Sequence, residues 1–170
     1  MTSVPDKILT WQMVQPTSRD KETKEVVPGK LEKKEIPVPD LAPDEVLVEV
    51  AGCGVCHTDL HLVEGEIPSF RLPVVPGHQI IGRVEALGEG VERFAVGDRV
   101  GVPWLYSTCG RCDYCQRDLE NLCDEARFTG QHADGGFAEY MVVPADFAYT
   151  IPMGFPDDQA APLLCAGIIG

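Results

Sequence analysis

At 170 residues the chain is long enough for one domain with a substantial core. Its 27 acidic residues against 14 basic give a net charge of −13, which repels phosphate backbones and anionic lipid and so excludes nucleic acid and membrane surfaces as natural partners. Nowhere does an apolar run reach the length of about 18 residues that a bilayer-spanning helix needs.

In chain order, Leu9 to Gln15 is expected as an edge strand, and the charged stretch Thr17 to Lys30 as a solvated loop or hairpin tip ending in the turn pair Pro28-Gly29. Leu31 to Pro37 resumes a strand. Val46 to Val50 (VLVEV) is the clearest strand of the chain, broken by Gly52 to Gly54. Thr58 to Glu64 suits a short helix with Asp59 in its first turn. Gln79 to Leu87, Asp98 to Val102, Phe137 to Val143 and Phe147 to Ile151 are further strands, and Pro156 to Ala166 is helix-prone around an awkward Pro162. With 14 prolines and 17 glycines between many short strands, a mainly β, barrel-like domain with short helices is predicted.

Four of the seven cysteines, Cys109, Cys112, Cys115 and Cys123, are bunched as C-x2-C-x2-C-x7-C on a polar loop. Four sulfurs so close suit one closed tetrahedral Zn2+, a structural site, with an iron–sulfur cluster as the alternative. A disulfide framework fits poorly, because the cysteine count is odd and MTSVPDKILTWQMV lacks the basic and apolar regions of a secretory signal. Free thiols at this density point to a reducing compartment, and the cytoplasm is expected.

Cys56, His78 and Cys165 are three more potential ligands, far apart in sequence. Two sulfurs and an imidazole with a fourth position open would make a catalytic zinc site of the Cys2His kind. Spacing alone does not group them: the cysteines suit packed small hydrophobes equally well, and His78 a turn residue beside Gly77.

The motifs GVCHTDLH, GHQIIGRVEALGEGVERFAVGDRV, the four-cysteine loop, DGGFAEYMVV and LLCAGIIG follow one another along the chain. Together they closely resemble the zinc-containing alcohol dehydrogenases of the medium-chain dehydrogenase/reductase family, over about residues 31 to 170. The resemblance implies a GroES-like β-barrel catalytic domain over 1–170, with a variable amino-terminal segment (1–30) and a zinc-braced lobe (109–123). It implies two Zn2+ per chain: a catalytic ion on Cys56, His78 and Cys165, and a structural ion on the four-cysteine loop. It casts Thr58 as the hydroxyl beside the substrate oxygen, His61 as the outer base of a proton relay and Asp59 as the carboxylate orienting His78. His57 falls where the family contacts the cofactor pyrophosphate. Trp104 falls on a wall of the alcohol pocket, with plain core packing as its alternative. His132 has no matching role and reads as a loop histidine. The implied reaction is oxidation of a small-molecule alcohol, or reduction of an aldehyde or ketone, with NAD or NADP, in a protein that forms homo-oligomers. Parts of the sequence, such as TWQMVQP and PGKLEKKEIPVPDL, are also similar to the family's cyclic hydroxyacyl-CoA dehydrogenases.

Two positions depart from the family pattern. Gln79 stands where a Glu commonly follows the ligand histidine, leaving the site one negative charge lighter. Cys53 forms Cys53-x2-Cys56 and reads as a packed thiol. No G-x-G-x-x-G fingerprint of a Rossmann unit occurs, since GCGVCH and LGEGVERF both lack the last glycine. The chain is therefore expected to be the amino-terminal part of a longer dehydrogenase, inactive on its own. A stand-alone zinc-binding GroES-like module is the alternative, and a GroES-like co-chaperone would need none of Cys56, Thr58, His61, His78 and Cys165.

Overall fold

The structure is a computed structural model and describes residues 4–169, so residues 1–3 of the expected variable segment lie outside the described ones. Strands dominate, in the order β1 (Lys7–Gln15), β2 (Ser18–Arg19), β3 (Val26–Val27), β4 (Lys30–Pro37), β5 (Glu45–Cys53), helix α1 (His57–Glu64), β6 (Ile80–Leu87), β7 (Arg99–Val102), β8 (Leu105–Ser107), β9 (Arg127–Phe128), β10 (Tyr140–Pro144), β11 (Tyr149–Thr150), α2 (Asp157–Ala160) and α3 (Ala166–Ile169).

The central element is a five-stranded antiparallel sheet in the order β10-β5-β6-β7-β11. Its main core comes from alternate residues, as a two-residue side-chain period requires: Val46 and Val48 of β5, Ile80 and Val84 of β6, Val100 and Val102 of β7, and Met141 and Val143 of β10, with Phe94 beside them. Burying one such side chain contributes roughly 1.5–3 kcal/mol, so this cluster is the mechanical base of the domain. On the opposite face of β6, Ile81 packs against Ala160 and Ala161. That contact seats the chain's final turns on the sheet.

β1 and β4 form a separate two-stranded ribbon. It joins the domain where Trp11 N donates to the Phe137 carbonyl and Met13 N to that of Val74, both at 2.8 Å. Met13, Leu62 of α1 and Val74 share a second small core. The 17–30 segment is a hairpin, with Ser18 opposite Val27 and Arg19 opposite Val26. Among the described residues the strands do not close into a barrel. The five-stranded sheet keeps β10 and β11 at its edges, and the ribbon's backbone pairs with its surroundings through isolated bridges such as Thr10–Ala138 and Met13–Val74 rather than through a continuous ladder.

Strand register gathers distant residues at one end of the sheet. Cys53 pairs with Ile80 and Ile80 pairs with Val102. Cys56, His78 and Trp104 each lie two or three residues beyond those paired positions, so the topology alone brings them to a common edge.

Candidate metal centres

Cys56 caps the N-terminus of α1 in an extended conformation, just past the end of β5. His78 stands on the loop entering β6, and Cys165 follows a 3-10 turn (Ala161–Leu164) that packs against Ile81. Their ligand atoms all lie within 4.8 Å of one another. The two sulfurs are 4.0 Å apart.

His78 is only 1% exposed, and hydrogen-bond geometry is met at neither ring nitrogen. A buried imidazole left so costs stability unless something else fills the role. Asp59 Oδ1 stands 3.3 Å from Nδ1, which leaves Nε2 as the atom available to a metal. The same carboxylate is held from both sides, accepting from Cys56 N at 2.9 Å and from Gly77 N at 3.0 Å. Burial opposes charge on His78, but Asp59 and Cys56 outweigh it and raise the imidazole above its ordinary value. Burial likewise pushes the Cys56 thiol up, yet the Thr58 backbone N–H, the Thr58 hydroxyl and His78 bring it down to about 7. Two thiols and a partnerless buried imidazole, backed by an ordered carboxylate, fit a zinc ion held by three protein ligands.

Around this trio, the Thr58 hydroxyl lies 3.7 Å from the Cys56 sulfur. His57 and His61, one helical turn apart, have ring centroids 4.5 Å apart. His61 Nδ1 contacts the Glu66 carboxylate. Trp104 meets His78 edge-on at 4.8 Å and stacks on Phe128 at 4.9 Å. Phe128 gives no sequence signal of its own. The pairing of Leu105 with Phe128, and the bond from Thr129 N to the Trp104 carbonyl, deliver it to the site. His132, expected as a plain loop residue, stacks on Phe70 at 3.9 Å, and its Nδ1 accepts from Phe128 N at 3.2 Å. The aromatic run from His78 outward to Phe70 was therefore visible only at Trp104.

Gln79 is 3% exposed, and a Cβ on Gly54 would fall 2.3 Å from its Oε1, so Gly54 is what lets the amide lie there. Cys53 is packed against the main core, and burial pushes its thiol up to about 12. A Cβ on Gly77 would come within 2.8 Å of its sulfur.

The second centre is the loop between β8 and β9. Cys109 and Cys115 have sulfurs 3.9 Å apart, Cys112 and Cys115 3.5 Å, and Cys109 and Cys123 3.6 Å. Corners of a tetrahedron with Zn–S bonds of 2.3 Å stand about 3.8 Å apart, so these spacings fit one ion. The backbone N–H groups of Arg111 and Cys112 hold the Cys109 thiol down at about 6. No residue of 108–126 joins any of the three hydrophobic clusters, so the lobe has little besides its cysteines to fold around. All seven cysteines are free thiols.

Residues 42–153 match the family description "Alcohol dehydrogenase GroES-like domain". The chain is 49% identical over 165 residues to the "Probable alcohol dehydrogenase AdhA" of Mycobacterium tuberculosis (strain CDC 1551 / Oshkosh), covering 94% of this chain and 46% of that one. This chain belongs to the zinc-containing alcohol dehydrogenases of the medium-chain dehydrogenase/reductase family. Among solved structures it is similar to CAD from Helicobacter pylori complexed with NADP(H), with a TM-score of 0.80 at 26% identity over 95% of this chain and 46% of that one. It is similar also to the cobalt- and zinc-bound thermostable alcohol dehydrogenase of Pyrobaculum aerophilum, with a TM-score of 0.77 at 29% identity over 92% and 44%. The chain thus spans less than half the length of these relatives. Among the described residues no helix is long and apolar enough to cross a membrane.

Proposed function

We propose that these residues form the catalytic domain of a zinc- and NAD(P)-dependent alcohol dehydrogenase that interconverts small-molecule alcohols with aldehydes or ketones. The observation that carries the reading is His78, buried without a hydrogen bond at either ring nitrogen between two convergent thiols. Zinc held by Cys56, His78 and Cys165 supplies Lewis-acid polarisation of an alcohol or carbonyl oxygen.

The chain's own residues do the remaining work. Asp59 fixes the His78 ring while anchoring the first turn of α1 to the Gly77 backbone. The Thr58 hydroxyl takes the alcohol proton and hands it outward, and His61, half-exposed on the next turn, releases it to water. His57 faces the cofactor phosphates from the helix start, where the backbone dipole favours an anion. Trp104 and Phe128 wall the substrate side. The nicotinamide is held by a cofactor domain outside these residues, and the assembled protein is a homo-oligomer. Cys109, Cys112, Cys115 and Cys123 hold the second zinc and brace their lobe. The free thiols suit a reducing compartment such as the cytoplasm.

Cobalt substitution tests the reactive site without turnover. The chain loaded with Co2+ is expected to show tetrahedral thiolate–cobalt absorption, part of which is lost in Cys56→Ser. Adding imidazole, which needs an open coordination position, is expected to shift that same part. Absorption indifferent to both would leave a sealed, structural module as the correct reading.

A further inference from the structure

The outer histidine has a carboxylate partner of its own. Glu66 Oε2 contacts His61 Nδ1, although the two side chains are 59% and 38% exposed. An exposed pair held only by its side chains contributes little order. Here the backbone supplies it. α1 ends at Gly65 in the left-handed conformation (φ 73°), and Glu66 N then donates to the His61 carbonyl at 2.9 Å, with Ile67 N on the same oxygen at 3.3 Å. Such a helix end folds the next residue back over the last turn.

The reversal is locked from outside the helix. Thr17 N donates to the Val63 carbonyl at 2.7 Å, and a Cβ on Gly65 would stand 2.2 Å from the Thr17 carbonyl oxygen. Leu62 is buried with Met13 and Val74, and Ile67 packs on the same cluster. Glu66 therefore starts from a fixed backbone position directly beside His61. The other titratable groups near the ring are Glu64, whose carboxylate falls within 4.8 Å of the His61 and Glu66 ligand atoms, and His57, with its ring centroid at 4.5 Å.

We propose that Glu66 is a positioning residue for His61. Its carboxylate accepts a hydrogen bond from Nδ1–H, which holds the imidazole as the Nδ1–H tautomer and leaves the Nε2 lone pair as the group that accepts the relayed proton. The assignment rests on the reading of His61 as the outer relay base. In the step it serves, a proton arrives at Nε2, the ring becomes imidazolium with Nδ1–H still on Glu66, and loss of the Nε2 proton to water restores the starting tautomer. Asp59 Oδ1, 3.3 Å from His78 Nδ1, gives the site a second carboxylate on the Nδ1 side of an imidazole.

The test is a long-range 1H–15N correlation spectrum of the zinc-loaded, 15N-labelled chain, with the His61 signals assigned from His61→Gln. Wild type is expected to show His61 mainly as Nδ1–H. Glu66→Ala keeps the backbone bond to the His61 carbonyl and is expected to lower the Nδ1–H share several-fold. Glu66→Asp should restore part of it, and Glu64→Gln should leave it unchanged. A wild-type His61 in the Nε2–H form, or a tautomer unmoved by Glu66→Ala, overturns the inference. In the assembled dehydrogenase, Glu66→Ala should lower kcat on the order of tenfold with KM little changed, a fraction of what a general base contributes. Turnover indifferent to His61→Gln would instead overturn the relay reading on which the assignment rests.

Discussion

Asp59 is the residue on which the proposed reactive site turns. It is buried, accepts two backbone N–H groups and stands against His78, so its removal should loosen the ligand without opening a large cavity. Asp59→Ala is expected to weaken zinc retention about 10- to 100-fold, the usual cost of losing the partner behind a ligand histidine, as read by competition with a coloured chelator. His132 makes a different kind of statement. Burial, and then Arg127, hold its imidazole below the ordinary histidine value, and its Nδ1 must be unprotonated to accept from Phe128 N. The folded state therefore binds fewer protons there than the unfolded chain. That contribution is complete above about pH 6.5 and declines as pH falls through that value toward the lowered one. Urea denaturation in mildly acid buffer should show a shallow loss of stability that His132→Phe removes. A profile unchanged by His132→Phe would contradict it.

Among the elements, α1 depends most on the glycine that caps its C-terminal end. Gly65→Ala places a Cβ in a left-handed backbone position and against the Thr17 carbonyl, so it should destabilise by on the order of 2 kcal/mol, measured as a shift of the urea midpoint. The sheet elements were legible where apolar residues alternate, because β5, β6, β7 and β10 each send every second side chain into one core. Gly52 reads in the sequence as a strand breaker. Pairing instead continues through an irregularity between Val50 and Gly52 to Cys53, and a glycine is at home in such a bulge. β8 and β9 escaped notice because two or three residues carry no period, and with them went Phe128. The mainly β, GroES-like fold was legible, whereas a closed barrel is not found among the described strands. Many short strands suggest a barrel, but whether edges meet depends on tertiary bridges that no local pattern encodes. The candidate ligand residues stand in motifs that the sequence displays, whereas their convergence depends on the register of three strands.

At the scale of the whole molecule, two candidate metal centres of different construction share one scaffold. The reactive trio is mounted on a well-packed sheet end, so emptying it should leave the fold standing. The four-cysteine lobe lies outside every hydrophobic cluster, so under the proposed reading a metal would serve as its core, and a structural zinc contributes on the order of 10 kcal/mol in peptide settings. Prolonged chelation is therefore expected to strip both ions and expose residues 108–126 to protease while the central sheet stays protected from hydrogen exchange. Uniform loss of protection would contradict this division. The most direct measurement is zinc stoichiometry of the wild-type chain beside Cys56→Ser and Cys112→Ser, with circular dichroism on each. Two ions are expected in wild type, and one in Cys56→Ser with an unchanged spectrum. Cys112→Ser should lose its lobe zinc together with solubility. A Cys112→Ser chain that folds normally with undiminished zinc, or a Cys56→Ser chain that loses both ions, would contradict two independent centres.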